Sequence, residues 1–110
     1  MIDVTDKIYT IEEIKRILNK LLENMPVYRV ILFGSYAKNS ANGSSDLDFV
    51  LDTKNALMGF KLLSLITKIE DAFNKPIDAF EETEIIKGSK VDKEIKETGV
   101  IVYERYCKSD

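Results

Sequence analysis

Histidine is missing from all 110 residues. Its absence removes Ser-His-Asp and Cys-His catalysis, HExxH zinc chemistry and zinc fingers together. The one cysteine, Cys107 near the C-terminal end, excludes an internal disulfide and any Cys-rich metal site. No apolar run approaches the ~18 residues of a membrane span. The opening Met1-Ile2-Asp3-Val4-Thr5-Asp6 lacks the basic start and apolar stretch of a signal peptide. A cytoplasmic protein with no membrane partner is expected. Basic charge is not in excess either: 16 Lys and Arg against 19 Asp and Glu leave a net charge of −3. A long phosphate backbone calls for a concentrated positive footprint, so long nucleic acid is not expected as a partner. Chemistry here falls to carboxylates, hydroxyls, lysines, backbone dipoles and a metal ion.

What is present reads as globular. The chain is 45% hydrophobic and 32% charged, a balance that supports a core and not disorder. Its length suits one domain about two layers deep, spanning residues 1–110. The first element expected is a helix over residues 11–24. Thr10 and Glu13 have capping-box spacing, and Ile11, Ile14, Ile17, Leu18, Leu21 and Leu22 share a face. Pro26 closes that helix, and residues 27–33 read as a strand rich in β-branched residues. Residues 34–45, rich in Ser, Asn, Ala and Gly, read mostly as loop, and residues 47–51 as a second strand. A long helix is expected over residues 55–74, where Leu57, Phe60, Leu63, Ile66, Ile69 and Phe73 repeat every three or four positions. A short strand follows Pro76 over residues 76–80. A charged helix over residues 90–98 stops at Gly99, and residues 100–103 make a last strand. The order implies an α/β arrangement, helices packed on a small sheet; strand order is not readable.

The stretch that carries chemistry runs from Leu32-Phe33-Gly34-Ser35-Tyr36-Ala37-Lys38 to Ser45-Asp46-Leu47-Asp48-Phe49-Val50. A strand ends in Gly-Ser, ten residues intervene, and Asp-x-Asp opens the next strand. Gly34 lets backbone approach a bulky anion, following N–H groups can meet phosphate oxygens, and Ser35 adds a hydroxyl. Gly-Ser at a strand end is by itself most often a turn. Asp46 and Asp48 are two apart, so on a strand both carboxylates project from one face while Leu47, Phe49 and Leu51 face the core. Paired carboxylates repel unless a cation joins them, and Mg²⁺ is usually held by one or two carboxylates plus substrate phosphates. A merely solvated strand face would not explain the apolar Phe49-Val50-Leu51. Asp78, alone among apolar neighbours on a later strand, is as often an edge-strand residue as a ligand. With Asp46 and Asp48 it becomes a candidate shared ligand, and such a triad suits two-metal, in-line displacement. A Walker A loop fails on spacing, because position 39 is Asn.

Gly34-Ser35, Asp46-x-Asp48 and Asp78, in that order, with a terminal Gly-x-x-x-Tyr-Glu from Gly99 to Glu104, resemble the DNA polymerase β-type nucleotidyltransferase superfamily. Within it the chain is most similar to the minimal nucleotidyltransferase group, which includes MntA-like antitoxins, and the likeness spans nearly the whole chain. The resemblance implies a small mixed β-sheet with packed helices in the polymerase β-type fold. It implies two Mg²⁺ ions held by Asp46 and Asp48, with Asp78 sharing the second and helping to deprotonate the attacking hydroxyl. Gly34 and Ser35 would contact terminal phosphates, with Lys38 and Ser45 completing the nucleotide site. Small members of the group work beside a HEPN-domain ribonuclease toxin, and some transfer AMP from ATP to a tyrosine of that toxin; an oligomer with such a partner is the corresponding assembly. One departure is notable: the Arg-Gly that often follows the motif's Ala is replaced by Lys38-Asn39. Lys keeps the charge without Arg's fork, and Asn tolerates a left-handed turn. Two other readings stand beside this one: an antitoxin that neutralises its partner by covering it, without catalysis, and transfer to a small molecule, for which the chain leaves little acceptor-holding surface.

Overall fold

A computed structural model of the chain describes residues 7–43 and 45–105; the residues read for a leader and Cys107 lie outside them. Helix α1 spans Ile11–Leu21 and begins with the anticipated capping box, Thr10 and Glu13 each bonding the other's backbone. It ends at Leu21, short of residue 24, where Leu22 leaves helical geometry as the C-cap at φ −99° and ψ 2°. Its terminal carbonyls are satisfied from the far end of the chain: Leu22 C=O accepts from Arg105 at 3.0 Å and Glu23 C=O at 2.7 Å.

The remaining elements are strands β1 (Arg29–Phe33) and β2 (Leu47–Asp52), helix α2 (Phe60–Phe73), strand β3 (Ile77–Glu81), a short 3₁₀ turn (Glu82–Glu84), helix α3 (Lys90–Thr98) and strand β4 (Val100–Glu104). The sheet order is β3-β2-β1-β4. β1 runs antiparallel to β2 and β4, and β2 runs parallel to β3 through α2, which makes the sheet mixed.

Alternation sorts the strands onto two faces. Val30, Leu32, Leu47, Phe49, Leu51, Ile77 and Val102 form one core with Ile14 and Leu18 of α1 and Leu65, Ile69 and Phe73 of α2. The opposite face carries Ile31, Phe33, Asp48, Val50, Asp78 and Phe80, and α3 packs beside it through Ile95. Leu47, Phe49 and Leu51 thus lie in the core as their spacing requires.

Helix α2 departs from expectation. It starts at Phe60 rather than near 55, because Lys54, Asn55 and Gly59 all take positive φ, which breaks a right-handed helix. Phe60 is 90% and Leu63 58% exposed. The buried stripe is instead Leu65, Ile69 and Phe73, flanked by Leu62 and Ile66. The segment is apolar on more than one face: Leu57, Ile66, Ile69 and Phe73 of the expected stripe do meet the core, while Phe60 and Leu63 give way to Leu62 and Leu65. Gly99 ends α3 as expected, but at φ −58° and not in the left-handed region. A Cβ there would run into the Ile95 carbonyl and lie 3.0 Å from Ile31, so glycine permits the close turn from α3 into β4.

Candidate active site

Strand pairing assembles the carboxylates. Asp48 on β2 lies opposite Phe33 on β1 and opposite Asp78 on β3. The residue after Phe33 is Gly34, so the end of β1 runs directly beside the Asp48 carboxylate. A Cβ at Gly34 would overlap that carboxylate, and Gly34 also has φ +79°. Two independent constraints therefore call for glycine. Asp46 is placed one residue ahead of β2, with Leu47 N–H bonded to Pro76 C=O at 3.3 Å. Asp46 and Asp78 are exposed, and Asp48 is half-buried between them.

The electrostatic result is a loaded group. Burial, then the charges of Asp78, Asp46 and Glu94, push the Asp48 carboxyl up from 3.8 to about 6. Like charges gathered in a partly desolvated site disfavour ionisation until a cation arrives. Among the described residues no three acidic, His or Cys side chains form a ready-made metal site. The all-oxygen donor set with room for substrate oxygens nonetheless fits a hard cation such as Mg²⁺, whose shell is usually completed by phosphates and water.

The turn after β1 is held by its own backbone. Lys38 N–H bonds Gly34 C=O at 3.1 Å, and Ser35 C=O accepts from the backbone and hydroxyl of Ser40 at 2.9 and 3.3 Å. These contacts use the carbonyl of Ser35 and not its hydroxyl. Asn39 takes φ +62°, the left-handed geometry in which Asn substitutes for glycine. The Ser45 hydroxyl accepts from Asn42 N–H at 2.9 Å and so shapes the loop that delivers Asp46.

Helix α3 adds groups that sequence reasoning missed. Glu94 faces Asp48 electrostatically and pairs with Lys38 at 3.6 Å. Thr98, one turn on, accepts the Gly34 N–H at 3.4 Å. Beside the motif turn, a cavity of about 260 Å³ is lined by Lys38, Lys90, Lys93, Glu94 and Glu97. The only sequence signal for these residues was the charged face of α3, which has the appearance of an ordinary solvated helix.

A mixed sheet presenting clustered carboxylates beside a Gly-Ser turn is the arrangement expected of a nucleotidyltransferase. A family model described as "Polymerase beta, Nucleotidyltransferase" matches residues 12–107, and the chain belongs to that nucleotidyltransferase family. Two candidate protein adenylyltransferases of Methanocaldococcus jannaschii are similar: one is 33% and the other 32% identical over 69% of this chain and 82% of their own length. Among solved structures, a toxin–antitoxin complex with AMP-PNP contains a chain that superposes with TM-score 0.66 at 20% identity, over 83% of this chain and 73% of that one. A tri-AMPylated Shewanella oneidensis HEPN toxin in complex with MNT antitoxin gives TM-score 0.62 at 18% identity, over 87% and 74%. At these identities the structures show a shared fold.

Proposed function

We propose that this chain is a Mg²⁺-dependent adenylyltransferase that moves AMP from ATP onto a hydroxyl of a partner protein, with tyrosine the leading candidate. We further propose that the partner is a HEPN-type toxin and the chain its antitoxin. The observation that carries the reading is the register Asp48↔Asp78 beside Gly34, with Asp46 at the strand entrance. The resemblance to protein adenylyltransferases and a tri-AMPylated HEPN toxin complex among the fold neighbours support the acceptor class.

In this reading the acceptor hydroxyl oxygen attacks the α-phosphorus, the bond from that phosphorus to the pyrophosphate oxygen breaks, and the hydroxyl proton passes to Asp78. The products are an O-adenylyl side chain and pyrophosphate. Asp46 and Asp48 would hold Mg²⁺, joined by Asp78, and two bound ions would neutralise the triphosphate and the attacking and leaving oxygens. Ser35 would donate to a phosphate, with the Gly34 backbone close by. Lys38, released from Glu94, would neutralise phosphate charge with Lys90 and Lys93, as a point charge and not a fork. Ser45, already accepting from Asn42, keeps its hydroxyl hydrogen to donate.

The test is ATP labelled at the α-phosphate, incubated with this protein and its partner. The partner's mass should rise in AMP-sized steps, and Asp46→Asn should abolish the rise. Full neutralisation of the partner without added mass would establish the non-catalytic antitoxin instead. Label on a small molecule or nucleic acid would retain transfer and overturn the acceptor.

A further inference from the structure

Strand β3 is at the edge of the sheet, and the phase of its hydrogen bonds is readable. Leu47 N–H bonds Pro76 C=O, so in a parallel pair residues 76, 78 and 80 turn their backbone groups toward β2 and residues 77, 79 and 81 turn theirs outward. Two of the three outward N–H groups are occupied by side chains of this chain. Ile77 N–H donates to Glu70 Oε2 at 3.3 Å, and Glu81 N–H donates to Glu84 Oε1 at 3.1 Å. The Ala79 N–H and C=O between them have no hydrogen-bond partner among the described residues. Carboxylates thus cap both ends of the edge and leave one residue open.

That opening adjoins the chemistry. The side chains on either side of Ala79 are Asp78 and Phe80, both on the face that carries Asp48. Phe80 is 37% exposed, leans on Phe33 at 6.5 Å between ring centroids, and lines an apolar cavity of about 210 Å³ with Ile85, Ile86 and Val91. An exposed edge beside a carboxylate and an apolar cavity suits a polypeptide, whose main chain can complete the ladder while alternate side chains reach one face. Neither a small acceptor nor an RNA strand offers that repeat of N–H and C=O.

We propose that the acceptor is presented as an extended polypeptide segment pairing antiparallel with the β3 edge at Ala79, its hydroxyl residue opposite Asp78 and an apolar residue two positions earlier on Phe80. This rests on the adenylyl-transfer reading above. Antiparallel pairing is the more stable per residue, and it makes Ala79 a hydrogen-bonded pair flanked by non-hydrogen-bonded pairs, whose side chains are closest. Because Glu70 and Glu84 occupy the neighbouring sites, the register is restricted to one residue, and a one-residue slip would turn the hydroxyl to the wrong face.

The experiment uses the ¹⁵N-labelled protein and a short blocked peptide bearing the triplet Val-Lys-Tyr, with a copy N-methylated at its Lys. The first peptide should move the Ala79 amide signal and slow its exchange about tenfold, as two added hydrogen bonds would; the methylated copy should do neither. With ATP and Mg²⁺, AMP transfer to the tyrosine should fall about tenfold or more for the methylated copy and for Ala79→Pro. Proline is tolerated where an edge N–H faces solvent, so Ala79→Pro should keep its thermal response to ATP. Equal labelling of both peptides, or undiminished labelling by Ala79→Pro, overturns the edge pairing and leaves adenylyl transfer standing. Ala79 protection without AMP on the peptide keeps the pairing and defeats the transfer reading. Neither protection nor labelling, or label going to RNA alone, overturns the pairing.

Discussion

Asp48→Asn should stabilise the metal-free protein while destroying its site. The Asp48 carboxyl is raised to about 6 from 3.8, chiefly by burial and then by Asp78, Asp46 and Glu94. A group whose pKa is raised on folding contributes stability that is present below its unfolded pKa and lost as pH rises through its folded pKa. Asp48 therefore costs stability progressively between pH ~4 and ~6 and by a constant amount above. At 1.36 kcal/mol per unit the ceiling is about 3 kcal/mol. Because the carboxylates remain partly solvated, about 1–2 kcal/mol is the better figure. For a domain of this size, that corresponds to a melting temperature roughly 5–10 °C higher for Asp48→Asn at pH 7.5. The assay is thermal or urea unfolding of both proteins in chelator from pH 3.5 to 8. Subtracting the two curves removes the carboxylates that do not interact with Asp48, including Glu82, which is raised, and Asp92, which is lowered. The difference should be near zero at pH 3.5 and grow to its full value by about pH 7. A difference independent of pH, or a variant less stable than wild type at pH 7.5, would refute the account of the loaded carboxylate.

Four further outcomes are expected. ATP with Mg²⁺ should stabilise wild type by about 2.7 kcal/mol at ~100-fold excess over Kd, metal alone by less; a melt in which Asp46→Asn/Asp48→Asn responds equally contradicts the site. Asp78→Asn should retain that thermal response yet lose about 10²–10⁴-fold in turnover, as expected for a proton acceptor, and single-turnover labelling measures it. Gly34→Ala should lose about 1–2 kcal/mol to its positive φ, displace the Asp48 carboxylate and abolish the ATP response, read together in one melt series. Phe60→Ser and Leu63→Ser should change stability by only about 0.5 kcal/mol while Leu65→Ala costs about 2–5 kcal/mol; urea unfolding would expose a misassigned face if the order reversed.

Local rules were legible in the sequence wherever one residue type has one physical use. The Thr10–Glu13 box, the Pro26 break, the core-facing Leu47, Phe49 and Leu51, and Asn39 in a glycine-like turn all follow from spacing or from backbone freedom. α2 was less legible, since Phe60, Leu63, Leu65, Ile66 and Ile69 satisfy several helical stripes at once, and only the sheet beneath chooses among them. The nearness of Glu94, Thr98, Lys90 and Lys93 to Asp48 and the motif turn was not legible, because a charged helix face has the same pattern there as in open water.

The sequence alone set Asp46 and Asp48 two residues apart, but only Asp48 lies within β2 and Asp46 stands one residue ahead of it, so strand alternation places just one of the pair. It also determined that any catalysis would run without histidine, and that a glycine would end the first strand. Tertiary structure decided the rest. A parallel β2–β3 pairing, across the crossover that carries α2, set Asp78 opposite Asp48; antiparallel β1 laid Gly34 against the same carboxylate; and β3, left at the edge, acquired its open backbone beside Asp78. Strand order and register depend on which distant segments bury surface together, and no local pattern encodes that choice.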